Sequence, residues 1–328
     1  MILAGDIGGT HTRLAYFDVE TDGLVIAKLE VYSSRRYPSL AAIVEAFMGA
    51  ESHSIERAAF GVAGPVSDGR AKVSNLDWEV DSRRLASILG IGRVLLANDL
   101  EVNAYGIASL AWEDFTTLNE GDARADGNEA LIAAGTGLGE AGLHWEGACH
   151  RPFASEGGHA DFAPRNETEA ELLLFLKGEL GHVSYERVLS GPGLFNIYRF
   201  LRDTKRGDEP RWLAHELSDL DPPAVVSRCA LRGESDLCVR ALQMFVSIYG
   251  AETGNLALKL LATGGVFVGG GIAPKILPAL TEGGFMEAFV DKGRMKALLE
   301  RVPVRVIRND KCALFGAARL VTLGDEVC

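Results

Sequence analysis

The chain opens on an apolar run, "MILAGDI", broken only by Asp6. A second strand-like run, "TRLAYFDV", follows after a glycine turn. "TDG" then turns into a third, "LVIAKLEVY". Apolar residues next recur at helical spacing in "PSLAAIVEAFMGA", with Pro38 at its start and Gly49 near its end. "RAAFGVAG" reads as a strand and "SRRLASILG" as a short helix closed by Gly90. "RVLLAND" is a buried strand ending at Asn98 and Asp99, and "LEVNAYGIASL" is again helical. The opening plan returns later: "EALIAAGTGLGEAGLHW" is strand, glycine turn, strand. Helices dominate from 165 to 260, above all "ETEAELLLFLKG" and "ESDLCVRALQMFVSIYGAETGNLALKLLA". A glycine-ended strand, "GGVFVGGGIAP", a strand "VPVRVI" and a small-residue helix "CALFGAARLV" complete the pattern. Three hairpin-linked strands followed by alternating helices and strands predict an α/β fold with mixed sheets flanked by helices. The repeated hairpin predicts a duplicated domain plan.

A length of 328 residues exceeds a single core and predicts two lobes. The net charge of −12 argues against nucleic acid and anionic membrane surfaces as partners, since both require a positive field. The N-terminal run lacks the basic flank of a secretory signal, and the most apolar later stretch, 254–273, is too interrupted to span a bilayer. Five scattered cysteines without a CxxC predict neither a disulfide framework nor a zinc site, which fits a reduced, cytoplasmic setting.

The two hairpin tips carry more than turn chemistry. A tight turn needs one or two residues with positive φ. It does not need Asp-x-Gly-Gly-Thr at one tip and Gly-Thr-Gly-x-Gly at the other. Glycines admit a phosphate to the backbone, successive N–H groups form an anion nest, and Thr10 and Thr136 add hydroxyl donors. Asp6 suits a Mg2+ ion held through water. The plainer reading, two structural turns, competes at each tip alone; the pair, with a third glycine-rich strand end, favours phosphate. No GxxxxGK[ST] is present, and "GTGLGEAG" runs into a strand where a dinucleotide fingerprint requires a helix.

Polar residues cluster in three further places. Asn98 and Asp99 end a buried strand, where α/β sheets bind ligands; one of them also suits a helix N-cap. "SEGGHADFAP" carries Glu156 and His159 around two glycines, and "SYERVLSGPG" places Glu186 at an expected helix start. Each has a structural explanation by itself. Together they are the hydrogen-bonding set that a polyhydroxylated ligand needs, and a metal site from the same residues matches no zinc spacing.

Seven stretches, "AGDIGGT", "LLANDLEVNAYGI", "GTGLG", "SEGGHADFAP", "YERVLSGPGL", "GGVFVGGGIAP" and "DKGRM…VPVRVI", occur in the order seen in bacterial glucokinases of the non-ROK group. The chain resembles that family from about residue 2 to about 324. The resemblance implies two ribonuclease-H-like lobes around a central cleft. The small lobe would be 1–110, with a helix at about 312–324 returning to it, and the large lobe 111–311. It implies ATP-dependent phosphorylation of D-glucose at the 6-hydroxyl, with Mg2+ and a homodimer. Asp99 would be the general base and Asn98 would bind neighbouring hydroxyls. Glu156, His159 and Glu186 would hold the anomeric side. Gly5, Asp6, Ile7, Gly8, Gly9, Thr10, Thr136 and Gly137 would face the phosphates and Mg2+, and Gly269, Gly270 and Gly271 the nucleoside. The family loop continues "GGTNAR" where this chain has His11 and Thr12, and the cysteine-rich zinc motif of ROK kinases is missing. Three alternatives stay open: a kinase for mannose or an amino sugar, a non-catalytic sugar sensor, and an actin-like assembly protein.

Overall fold

The structure, a computed structural model, describes residues 1–21, 23–49, 54–73, 76–122 and 126–322. The chain divides into two compact units. One holds residues 1–114, 146–154 and the stretch from 309 on; the other holds 115–145 and 155–308.

The first unit begins with β1 (Ile2–Ile7), β2 (His11–Glu20) and β3 (Gly23–Ser33), paired antiparallel. Helix α1 (Leu40–Met48) leads to β4 (Arg57–Val62), which lies parallel to β1. A small separate sheet follows, made of β5 (Val66–Ser67), β6 (Arg70–Lys72) and β7 (Glu79–Asp81). Then come α2 (Ser82–Leu89), β8 (Val94–Asn98) and α3 (Asp99–Ile107). Asp81 caps α2 through the N–H groups of Arg83 and Arg84, and Gly90 ends it in the left-handed conformation (φ 67°), as its sequence position predicts. The main sheet runs β3-β2-β1-β4-β8.

The second unit repeats the plan. Its strands are β9 (Phe115–Asn119), β10 (Glu129–Ala134) and β11 (Leu138–Trp145), with β12 (His150–Ser155) straddling the division of the chain. Five helices follow: α4 (Glu167–Leu180), α5 (Gly191–Asp203), α6 (Arg211–Asp219), α7 (Pro222–Leu231) and the 25-residue α8 (Asp236–Leu260). Then come β13 (Gly265–Gly269), α9 (Leu277–Thr281), α10 (Gly284–Val290), α11 (Lys296–Leu299) and β14 (Val304–Ile307). Strands β11, β10, β13, β14 and β9 are successive neighbours in its sheet. In each unit an antiparallel hairpin is extended by two parallel strands, β1-β4-β8 in one and β10-β13-β14 in the other. This is the duplication that the paired hairpins predict.

The last helix, α12 (Cys312–Thr322), belongs to the first unit and packs on one face of its sheet beside α3. Ile2, Ala4, Ala15, Phe17, Ala59 and Ala97 form that face with Val102, Leu314 and Ala317, all buried. The opposite face buries Leu3, Ile7, Leu14, Phe60 and Phe47. A sheet covered on both sides explains why β1 is apolar almost throughout. The α3–α12 contact depends on missing side chains. A Cβ on Gly316 would lie 1.6 Å from the Val102 carbonyl oxygen, and one on Gly106 2.0 Å from that of Cys312.

The expected absence of a disulfide framework needs one correction: Cys149 is disulfide-bonded. Scattered spacing says nothing about which cysteines folding brings together, so a single bond leaves no signature of the kind a framework does. Cys229, Cys238 and Cys312 are buried free thiols, and Cys328 lies outside the described residues.

Overpacking at backbone–backbone contacts costs roughly 1–3 kcal/mol, or about 2–4 °C of melting temperature per kcal/mol in a domain of this size. Gly316→Ala is therefore expected to lower the melting temperature by about 2–12 °C. Gly271→Ala, where a Cβ meets nothing within 4 Å, should leave it unchanged within about 1 °C in the same calorimetric scan.

Candidate active site

The first hairpin tip, Gly8–Thr10, is tied down from below. The Gly8 N–H donates to the His11 carbonyl at 3.0 Å, and the Gly8 carbonyl accepts from Ser34 Oγ at 2.8 Å. Ser34 is itself buried, 3.0 Å from Thr12 Oγ1, and its N–H donates to the Thr10 carbonyl at 3.0 Å. Gly9 is half-buried and Thr10 exposed at the tip. Gly5 and Ile7, by contrast, are buried in β1. A Cβ on Gly5 would lie 2.4 Å from the Phe60 ring, so packing accounts for that glycine. Asp6 is about a quarter exposed, with Arg13 Nη1 3.9 Å from its carboxylate. Burial raises its pKa above the ordinary value, and Arg13 pulls it partly back.

Asn98 and Asp99 stand where β8 becomes α3. The Asn98 side chain caps the helix, its Oδ1 accepting the Leu100 N–H at 2.9 Å, and its Nδ2 donates to the Gly64 carbonyl at 3.2 Å. Capping thus explains Asn98 structurally and leaves one Nδ2 hydrogen for a ligand. Asp99 is half-buried, and its Oδ1 also accepts from Leu100 N–H at 2.9 Å. Its backbone carbonyl accepts from Asn103 Nδ2 at 3.0 Å. Below it, a Cβ on Gly61 would lie 2.2 Å from Val102, so α3 sits directly on β4.

In the second unit the Gly135–Gly137 turn closes on itself through a 2.8 Å bond from Gly135 N–H to the Gly137 carbonyl. The N–H of Gly191, first residue of α5, donates to the Gly135 carbonyl at 2.8 Å. Thr136 is exposed. Gly269 ends β13 opposite Ala133, so the predicted nucleoside glycines lie at the same sheet end as this turn. Gly270 has φ 80°, and a Cβ there would lie 2.3 Å from the Ala134 carbonyl. Both the backbone angle and the close approach require glycine there. Gly271 is exposed.

Glu156, His159 and Glu186 are brought onto one platform, the start of β11. Glu186 Oε2 accepts the Leu138 N–H at 3.2 Å. Gly158 sits on the Leu138 carbonyl, which a Cβ there would approach to 2.1 Å. Glu156 precedes a 3₁₀ turn that His159 ends; their side chains are 77% and 60% exposed and lie 3.8 Å apart. Backbone bonds join the two segments: Tyr185 N–H donates to the Ala160 carbonyl, and Phe162 N–H to that of Val183, both at 3.0 Å. Glu186 lies not at a helix start but in a 3₁₀ turn, Tyr185–Arg187. Ser190 supplies the cap of α5 instead, accepting from Gly193 N–H at 3.0 Å.

Sequence reasoning missed Ser34, which orders the first tip, and Glu140, which lies buried beneath the Glu156–His159 turn. Ser34 has no local signal because its partner is 26 residues away. Glu140 leaves one: an acid at an inward position of an apolar strand.

Duplicated hairpin-and-parallel sheets with glycine tips, polar strand ends and a carboxylate-rich platform define a sugar kinase on the actin-like ATPase fold. Residues 3–323 match the glucokinase family. A glucokinase of Nostoc punctiforme is 43% identical over 97% of this chain and 98% of its own. The crystal structure of a glucokinase from an Antarctic psychrotroph superposes with a TM-score of 0.83, at 32% identity over 98% of both chains. A glucokinase from Balamuthia mandrillaris, solved in complex with glucose, shares the fold at TM-score 0.81 and 23% identity, over 98% of this chain and 93% of that one. The chain belongs to the glucokinase family and is a hexose kinase.

Removing the two Ser34 hydroxyl bonds frees the first tip at a cost of about 1–2 kcal/mol in preorganisation. Ser34→Ala is expected to raise the KM for ATP roughly 5- to 30-fold while leaving the KM for glucose within about twofold, read from steady-state kinetics.

Proposed function

We infer that the protein transfers the γ-phosphoryl group of ATP to the 6-hydroxyl of D-glucose, with Asp99 as general base. One observation carries this reading. The Glu186 carboxylate rests on the N–H of Leu138, the residue that follows the Gly135–Gly137 turn. A sugar-binding acid and a phosphate-type turn are therefore held by one strand. This coupling suits a reaction in which the acceptor must be aligned with the transferred group.

The residues take separate tasks. Asp99 accepts the hydroxyl proton as the oxygen attacks, and its place at the helix start keeps the carboxylate fixed. Asn98 donates its remaining Nδ2 hydrogen to a neighbouring sugar oxygen. Glu156, His159 and Glu186 bind the anomeric side. The tips at Gly9–Thr10 and Thr136–Gly137, exposed at the two threonines, offer N–H and hydroxyl donors to phosphate oxygens, where charge stabilisation supplies most of the rate.

Asp6 fits a Mg2+ ion. Burial raises the pKa of its carboxylate, and Arg13 is too distant for a close ion pair, so a cation at this carboxylate would meet an unmet need for positive charge. No group of three or more His, Cys, Asp or Glu side chains suited to a metal occurs among the described residues. An Mg2+ ion held by one carboxylate takes the rest of its shell from waters and substrate phosphates. Bound there, Mg2+ would neutralise charge on the transferring phosphates. The family resemblance adds a homodimer and a cytoplasmic setting to this reading.

A coupled assay over hexoses and donors, with phosphorus NMR of the product, tests this directly. The expected product is glucose 6-phosphate from ATP. A higher kcat/KM with mannose or an amino sugar, or with another donor, would replace the assignment. The raised pKa of Asp6 adds a second expectation. Acidification protonates Asp6 earlier than an ordinary aspartate, so the KM for Mg-ATP rises as pH falls. Asp6→Asn should have a weaker Mg-ATP affinity and lose the component of that pH dependence.

A further inference from the structure

Glu140 lies in β11, opposite Ile132 of β10, and is 1% exposed. None of the tasks assigned to the site residues uses it. Its carboxyl touches the sugar-side loop directly: a Cβ on Gly157 would lie 2.1 Å from Glu140 Oε2. The other oxygen, Oε1, is buried without a hydrogen-bond partner. An unpartnered buried carboxyl oxygen against a functional loop requires an explanation.

The groups around it decide its charge. Glu252 and Lys259 face it from α8, as does Tyr249. Glu252 is fully buried; its Oε1 already takes the Lys259 ammonium at 2.9 Å, and its Oε2 takes Asn255 Nδ2 at 2.7 Å. Two acids thus share one ammonium, and that ammonium is committed to Glu252. The Tyr249 oxygen accepts the Ala134 N–H at 3.3 Å, and its proton faces the Ile132 and Gly269 carbonyls, each at 3.5 Å. Ionised, Glu140 would be a second buried anion with no donor at Oε1, and Gly157 covers its other oxygen.

We propose that Glu140 is a positioning residue for the sugar-binding loop, holding Glu156 and His159 in place when protonated and releasing the loop when ionised. This rests on the reading of Glu156 and His159 as glucose ligands. Burial, and secondarily the Glu252 charge, push the Glu140 pKa up to about 7, so the change falls near neutral pH. The sign follows. The neutral form is favoured in the fold, so raising the pH from the ordinary carboxyl value of 4.5 to about 7 costs stability, and the loop contact weakens over the upper part of that range.

The test compares the wild-type enzyme with Glu140→Gln, which keeps the shape and stays neutral, and with Glu140→Met as a second neutral variant. From pH 6 to pH 8.5 the wild-type KM for glucose should rise about five- to tenfold with kcat within about twofold, the response of a tenfold preference of sugar for the protonated form. Both variants should stay near the low-pH value throughout. Variant profiles parallel to the wild type overturn the proposal. Hydrogen exchange at residues 156–160, measured without sugar, separates the role of Glu140 from the substrate assignment. Corrected for intrinsic rates, it should accelerate above pH 7 in the wild type and not in Glu140→Gln. Equal acceleration in both removes Glu140 from this role whatever the substrate. Absence of glucose turnover together with the expected exchange difference would instead sink only the sugar reading.

Discussion

Close backbone approach along α3 is the constraint that sets the geometry of the first unit's site. Helix α3 lies against β4 at Gly61 and against α12 at Gly106 and Gly316, each at a distance that excludes a Cβ. Only the Val102 side chain stands between α3 and β4, and at α12 backbone meets backbone, so the helix has little room to shift. Asp99 is the first residue of that helix. In its proposed role Asp99 must meet the hydroxyl to within about half an ångström, and close packing of its helix is a direct way to hold it there.

The second unit solves the same problem by different means. Its proposed sugar-side residues are on loops and 3₁₀ turns, not on a long helix, and their segments are tied to the first residue of β11. Leu138 alone uses its N–H for Glu186 and its carbonyl as the seat of Gly158. Loop residues gain rigidity by borrowing it from a strand buried in a sheet. Beneath one of those loops lies a buried acid, Glu140, whose surroundings favour its neutral form.

Much of this was legible in the sequence. The glycine tips, the strand-ending Asn98 and Asp99, and the repeated hairpin were visible because each rests on local spacing. The start of α5 was misplaced because Glu186 and Ser190 both suit a helix start, and only the Ser190 cap bond distinguishes them. The family resemblance places Gly5 and Ile7 among the phosphate-facing residues, yet the core claims both. Ser34 and the Cys149 bond were illegible for a common reason. Their partners are set by tertiary folding, which residue spacing does not encode.

The central claim is that Asp99 takes the acceptor proton, and Asp99→Asn tests it most directly. The amide keeps the shape and removes the basicity. The expected result is a calorimetric glucose affinity within about threefold of the wild type and turnover lower by about 10²–10⁴-fold. Near-normal turnover in that variant, or a loss of glucose binding large enough to explain the lost rate, would contradict it.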